Sequence, residues 1–82
     1  MEVYIVVHNW NNELGESNDI VGVYKNKEDA INKTIDIYNK MEKIMAEDWN
    51  DPVIIADFDP GDCYLEGNSS SSECFYIPFE LK

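Results

Sequence analysis

The sequence predicts an α+β domain in which a mostly antiparallel sheet of three to five strands carries one long helix on one face, in the order β-β-α-β-β. Three observations predict it. Runs of β-branched and aromatic residues recur at 3–10, 19–24, 52–58, 63–65 and 74–81. A single stretch, 27–48, places its apolar residues at three- and four-residue spacing. The chain has only 82 residues, which leaves room for one core and assigns 1–82 to one domain.

The elements follow in order. Val3-Tyr4-Ile5-Val6-Val7-His8-Asn9-Trp10 has apolar residues on both faces, as a central strand does. Residues 11–18 are polar and contain Gly15, so they read as a loop leading back antiparallel into a strand at Asp19–Tyr24. Gly22 within that strand marks a bulge or a close approach of the helix. Asn26 is placed to cap the helix, with Glu28 and Asp29 in the first turn where they favour the dipole. The expected sheet-facing stripe is Ile31, Ile35, Tyr38, Met41 and Met45, broadened by Ile37. Asp51-Pro52 ends the helix near Asp48 or Trp49, because the residue before proline avoids helical angles.

Pro52–Phe58 reads as a third strand, and Asp59-Pro60-Gly61-Asp62 as a type II turn. A short strand at Cys63–Leu65 follows, then a loop at Gly67–Ser72. In the last strand, Phe75, Ile77, Phe79 and Leu81 alternate and are expected to face the helix. Pro78 donates no ladder hydrogen bond, so this strand is expected at a sheet edge or interrupted there.

Charge is the strongest compositional signal. Seventeen Asp and Glu stand against six Lys and no Arg, a formal charge of −11. Residues 25–43 hold five of the lysines, whereas 44–82 carry nine acids and one base. Such a field repels nucleic acid and anionic membranes and steers towards basic protein surfaces; its simplest use is solubility. No basic leader precedes the first strand and no apolar run reaches bilayer length, so a cytoplasmic protein is expected. In that compartment Cys63 and Cys74 are expected as two reduced thiols, although a hairpin disulfide is open to them.

No enzyme motif is present. His8 is the only histidine, shares a strand face with Tyr4, Val6 and Trp10, and reads as structural. The acidic run from Asp57 fails as a calcium loop, since Gly61 falls at its fifth position and Asn68 at its twelfth. There is no Gly-x-Ser-x-Gly, no phosphate-binding glycine loop and no Cys-x-x-Cys pair. The reading is therefore non-enzymatic, without cofactor or metal.

What remains is an acidic ridge. Asp57 and Asp59 project together if the strand reaches both, and Asp62, Glu66 and Glu73 lie in neighbouring segments. A ridge of this kind suits a groove lined by Lys and Arg.

Val3-Tyr4-Ile5-Val6-Val7-His8, with Ile20-Val21-Gly22-Val23-Tyr24 and Lys27-Glu28-Asp29-Ala30-Ile31, resembles a family of small uncharacterised bacterial and phage domains. These open with a strand ending near His, then run Ile-x-Gly-Val-Tyr/Phe into a Lys-Glu-x-Ala helix start. The resemblance covers the first half and implies a small cytoplasmic domain, often phage-borne, with no assigned activity. Nine Asn in an Arg-free chain resemble proteins of AT-rich hosts and their phages. In size and charge the chain is similar to small acidic phage proteins that block host nucleases, anti-CRISPR inhibitors among them. The expectation is a phage-type inhibitor engaging a basic surface of a nuclease or other nucleic-acid-handling protein, as monomer or homodimer. The alternatives are an accessory domain that dimerises through a hydrophobic face, and a small-ligand or calcium-binding module.

Overall fold

A strand with apolar residues on both faces belongs inside a sheet, and β1 (Glu2–Asn12) lies there. The computed structural model describes all residues, Met1–Lys82. β1 pairs antiparallel with β2 (Gly15–Tyr24) on one side and with β5 (Ser71–Glu80) on the other. β4 (Asp62–Glu66) pairs with β5, and β3 (Ile55–Asp57) with β4, giving one five-stranded antiparallel sheet of order β2-β1-β5-β4-β3. The helix α1 (Lys27–Lys43) packs on one face, so the molecule is a two-layer slab of 43 × 22 × 16 Å.

The helix starts as its sequence dictates: Asn26 Oδ1 accepts the Glu28 N–H at 2.8 Å. It does not run evenly to Asp48. After Lys43 it widens into a π-helical turn at Ile44–Asp48, closed by Trp49 N–H donating to Ile44 O at 3.0 Å. Asn50 then turns out with a positive φ of 51°, a conformation asparagine tolerates. The chain exit is held by Asp51, whose carboxylate accepts the Asn68 and Ser69 N–H groups and the Ser70 hydroxyl.

The buried stripe keeps Met41 and Met45 as expected, with Tyr38 packed beside them, and is rotated only in its N-terminal half. Ala30, Thr34, Met41 and Met45 are buried, and Ile37 packs against both core clusters, while Ile35 is only half-buried and belongs to neither. One cluster joins Val6, Ala30 and Cys74; the other joins Met41, Met45 and Leu65 beneath Trp10 and Trp49, whose rings lie 5.3 Å apart. In the first half of the helix the small residues Ala30 and Thr34 let it approach the sheet; further along, Met41 and Met45 fill the space against Leu65.

Four strand expectations change. Residues 11–18 form no open loop: β1 and β2 extend to a two-residue turn at Glu13–Leu14, with Asn12 opposite Gly15. The bulge expected at Gly22 falls one residue earlier, because Val6 pairs with Gly22 and Val7 with Ile20, leaving Val21 over. Of Pro52–Phe58 only Ile55–Asp57 is strand, exposed throughout. In β5 the opposite face turns inward: Ser72, Cys74 and Tyr76 face the helix side, whereas Ile77, Phe79 and Leu81 are exposed. Pro78 sits in a strand that is interior by sheet order, yet β4 pairs only with Ser71–Phe75. Tyr76 N–H points to the β4 side, donating to Gly61 O at 3.3 Å, so by alternation the donor-less Pro78 nitrogen faces the side where β4 has ended.

Candidate functional site

The alternation of β-strands and the observed register decide which side chains share the uncovered face of the sheet. One row runs Asn18, Asn9, Glu73, Tyr64, Asp57, and the next runs Glu16, Asn11, Ser71, Glu66, Ile55. Neighbours along a row are about 5 Å apart and successive rows about 7 Å. Asp62 stands beside Phe75 in the row below. The structure thus brings together Asp57, Asp62, Glu66 and Glu73 on one face, with Glu16 at its far side.

Asp59 departs from its expected position. β3 ends at Asp57, so Asp59 lies in the following turn, where its carbonyl accepts the Asp62 N–H at 2.7 Å. Gly61 in that turn has φ +96°, as the third position of a type II turn requires. Asp59, Asp62 and Glu73 all border an open depression at the step where β4 stops and β5 continues.

Glu73 accepts from Asn9 Nδ2 at 3.3 Å, and Glu66 accepts from the Tyr64 hydroxyl, which raises the Tyr64 pKa. None of these carboxylates has a cationic partner. The ion pairs are Lys33–Asp36 and Lys40–Asp36 on the helix and the N-terminal amine with Glu80. Lys33 and Lys40 are paired with Asp36 on the helix, in the other layer. The acidic face is therefore uncompensated by its own protein.

Beside the acidic rows lies an apolar field. Val7, Phe75 and Ile20 are neighbours across the strands, as are Ile5 and Ile77, with Val23 and Phe79 beyond. Ile20 is 71% exposed, Val23 60%, Phe79 52% and Ile77 45%. No helix covers them. Sequence reasoning missed Glu16 and Tyr64 because only the register between strands shows that they join the ridge.

Other chemistry-bearing groups are absorbed by the core. His8 is buried with Nε2 2.9 Å from Ser72 Oγ, and desolvation lowers its pKa against a weaker opposing effect of Asp19. Cys63 and Cys74 are free, buried and directly opposite each other. The Tyr76–Gly61 bond fixes them as a pair that exchanges both ladder hydrogen bonds, the wider phase of an antiparallel ladder. Their Cβ atoms then stand at the upper end of about 4.5–5.5 Å, whereas a disulfide wants about 3.8 Å. Burial pushes both thiols up, Cys74 to about 12. No three His, Cys, Asp or Glu side chains converge as a metal-holding group. A second cavity of about 560 Å³ lies between the Asn12–Leu14 turn, Asp48–Asp51 and Asn68–Ser70; of its acidic residues Glu13, Asp48 and Asp51, the last is already engaged by the loop. No helix is long and apolar enough to cross a membrane.

A scan of protein-family models, a search of curated proteins and a search of solved structures return no match.

Proposed function

We propose that the protein is a non-enzymatic binding module that places the uncovered face of its sheet on a basic, nucleic-acid-binding surface of another protein, and so blocks that surface. The observation that carries this reading is the grouping of Asp57, Asp62, Glu66, Glu73 and Glu16 on one face without a cationic partner. Next to them, exposed Ile77 and Phe79 supply apolar area that a hydrated acidic patch alone lacks. Charge governs the association rate, and apolar burial governs the lifetime of the complex. A phage-type inhibitor of a nuclease is the specific form that this reading favours.

The test is capture of host proteins by the tagged protein at low and high salt, beside an Asp57→Lys/Glu66→Lys/Glu73→Lys variant. The expected partner is a nucleic-acid-binding protein whose capture is lost in the variant, weakened by salt and competed by duplex DNA. Capture that survives charge reversal and high salt overturns the reading.

The apolar field favours one rival, a two-fold dimer through Val23, Ile77 and Phe79 that leaves the acidic rows at opposite ends. Sedimentation at several concentrations separates the two. A stable dimer abolished by Ile77→Ser favours the rival; a monomer favours the inhibitor.

A further inference from the structure

β2 is the long free edge of the sheet, since it pairs with β1 alone. The other edge strand, β3, has three residues against ten in β2. Natural proteins blunt a long edge with Lys or Pro, and Gly15–Tyr24 contains neither. Its one such device, the bulge at Val21, lies beyond the run Glu16–Ile20.

The phase of the ladders tells which backbone groups of β2 are bare. Tyr76 N–H donates to Gly61 O, so even-numbered residues of β5 bond towards β4 and odd-numbered ones towards β1. In β1 the odd-numbered residues therefore bond β5, and the even-numbered ones bond β2. Their partners Gly15, Ser17 and Asp19 point inward, which leaves the N–H and C=O of Glu16, Asn18 and Ile20 pointing outward. The two-residue turn at Glu13–Leu14 demands the same phase, with Asn12 and Gly15 as its closing hydrogen-bonded pair. No other group of the chain meets these outward donors and acceptors, and all three residues are exposed.

We propose that this edge pairs antiparallel with the same edge of a second copy, about a two-fold axis at Asn18. The register carries the choice of occupant. Centred on Asn18, it sets Glu16 opposite Ile20 of the second copy and Asn18 opposite its own counterpart. All three bare residues of each strand are then used, and their pairs exchange about six backbone hydrogen bonds. Asp19 comes opposite Ser17, a hydroxyl whose hydrogen bond its carboxylate already accepts within one chain at 2.9 Å. No acid stands directly opposite an acid. A register centred on Asp19 would oppose two Asp19 carboxylates, and one centred on Ser17 would leave Ile20 unused.

This pairing joins the sheet of one copy to that of the other, with both helices on one side and both uncovered faces on the other. It is distinct from a dimer through Ile77 and Phe79, and it goes beyond the basic-partner reading without depending on it. A single strand edge buries less than the about 1,200 Å² of a standard interface, so the dimer is weak and forms at high protein concentration. Two chains of charge −11 repel each other, so added salt strengthens it, the opposite of its effect on a basic partner.

The test is an NMR dilution series of the whole protein, from about 1 mM to about 20 μM, at low and high salt. Concentration-dependent amide shifts are expected at Glu16, Asn18 and Ile20, and smaller ones at Ser17 and Asp19, whose N–H groups already bond β1. Hydrogen exchange at the same three amides should slow as concentration rises. Asn18→Pro removes the central outward N–H while sparing the β1 ladder, and should abolish the concentration dependence. Should that variant lose its native spectrum, Asn18→Asp sets two carboxylates opposite each other and must weaken the dimer about threefold or more. Ile77→Ser should leave it unchanged. Shifts centred on Ile77 and Phe79, a spectrum independent of concentration, or association that weakens with salt overturns the proposal. So does a folded Asn18→Pro variant that still associates.

Discussion

The two faces of β5 have their hydrophobicity reversed. Beneath the helix lie Ser72, Cys74 and Tyr76, whereas the open face carries Phe75, Ile77 and Phe79. Volume rather than hydropathy chooses the buried side. Ala30 and Thr34 on the helix, with Cys63, Cys74 and Val6 below them, are small enough for the two layers to approach closely. Phe and Ile at those positions would hold the helix off the sheet. The larger residues are left for solvent or for a partner, and the contrast separates positions that hold the fold from positions available for binding.

Truncation of buried and open residues should give the largest divergence. Leu65→Ala or Met45→Ala removes a side chain that is at most 1% exposed and should cost about 2–5 kcal/mol in urea unfolding. Ile77→Ala or Phe79→Ala should cost under about 1 kcal/mol, since exposed side chains gain little on folding. Equal losses would mean that a second copy already covers the open face.

Thr34→Val sharpens the same contrast within the covered side. The shape is kept, but the buried Gly61 N–H loses its acceptor, which should cost about 1–3 kcal/mol. A neutral outcome would mean that the Gly61 N–H recovers a partner in the ladder.

pH separates two further positions. Burial lowers the pKa of His8, so below the unfolded value of about 6.5 the unfolded chain binds a proton that the native state resists. Stability should be full above that pH and fall as pH drops towards the folded pKa, with His8→Gln flattening this window. Asp51 acts lower. Hydrogen bonds from Ser70, Ser69 and Asn68 hold its pKa below the usual carboxylate value, so its contribution is present above that value and is lost as pH falls through the folded one. Unfolding midpoints across pH 3–8 for wild type, His8→Gln and Asp51→Asn test both signs.

The smallest expected effect concerns the thiols. Both should be unreactive in the native protein and both countable after denaturation without reductant, because each is buried at an unfavourable disulfide phase. Finding neither thiol after denaturation would show that the ladder closes further than its register implies.

The sequence was most legible where local chemistry decides. The Asn26 cap, the Asp59–Asp62 turn, the bulge beside Gly22 and the class of fold follow from single residues and their neighbours. It was least legible where two periodicities compete. In Cys74–Leu81 both faces hold apolar residues, and only the helix opposite, with Ala30 and Thr34, decides between them. Gly15–Asn18 read as loop because polar residues pair there with Asn9–Asn12, without the alternation that marks a half-buried strand. The ridge was visible as composition. Its membership was visible only in part, since Glu16 reaches the face by the register of β2 on β1, and Asp59 leaves it because β3 ends at Asp57.

The β1–β5 ladder has a consequence for the order of folding. It joins residues 2–11 to residues 71–80, nearly the whole chain apart, while the β1–β2 hairpin and α1 need only local contacts. Hairpin and helix should therefore form early, and the closing ladder should set a slow folding rate. Until β5 arrives, Val3-Tyr4-Ile5-Val6-Val7 presents a bare, strongly apolar strand edge, the kind of segment that recruits other chains. A protein so acidic when folded thus passes through a stage in which its least charged segment is exposed. The repulsion of its eleven excess negative charges should oppose association at that stage.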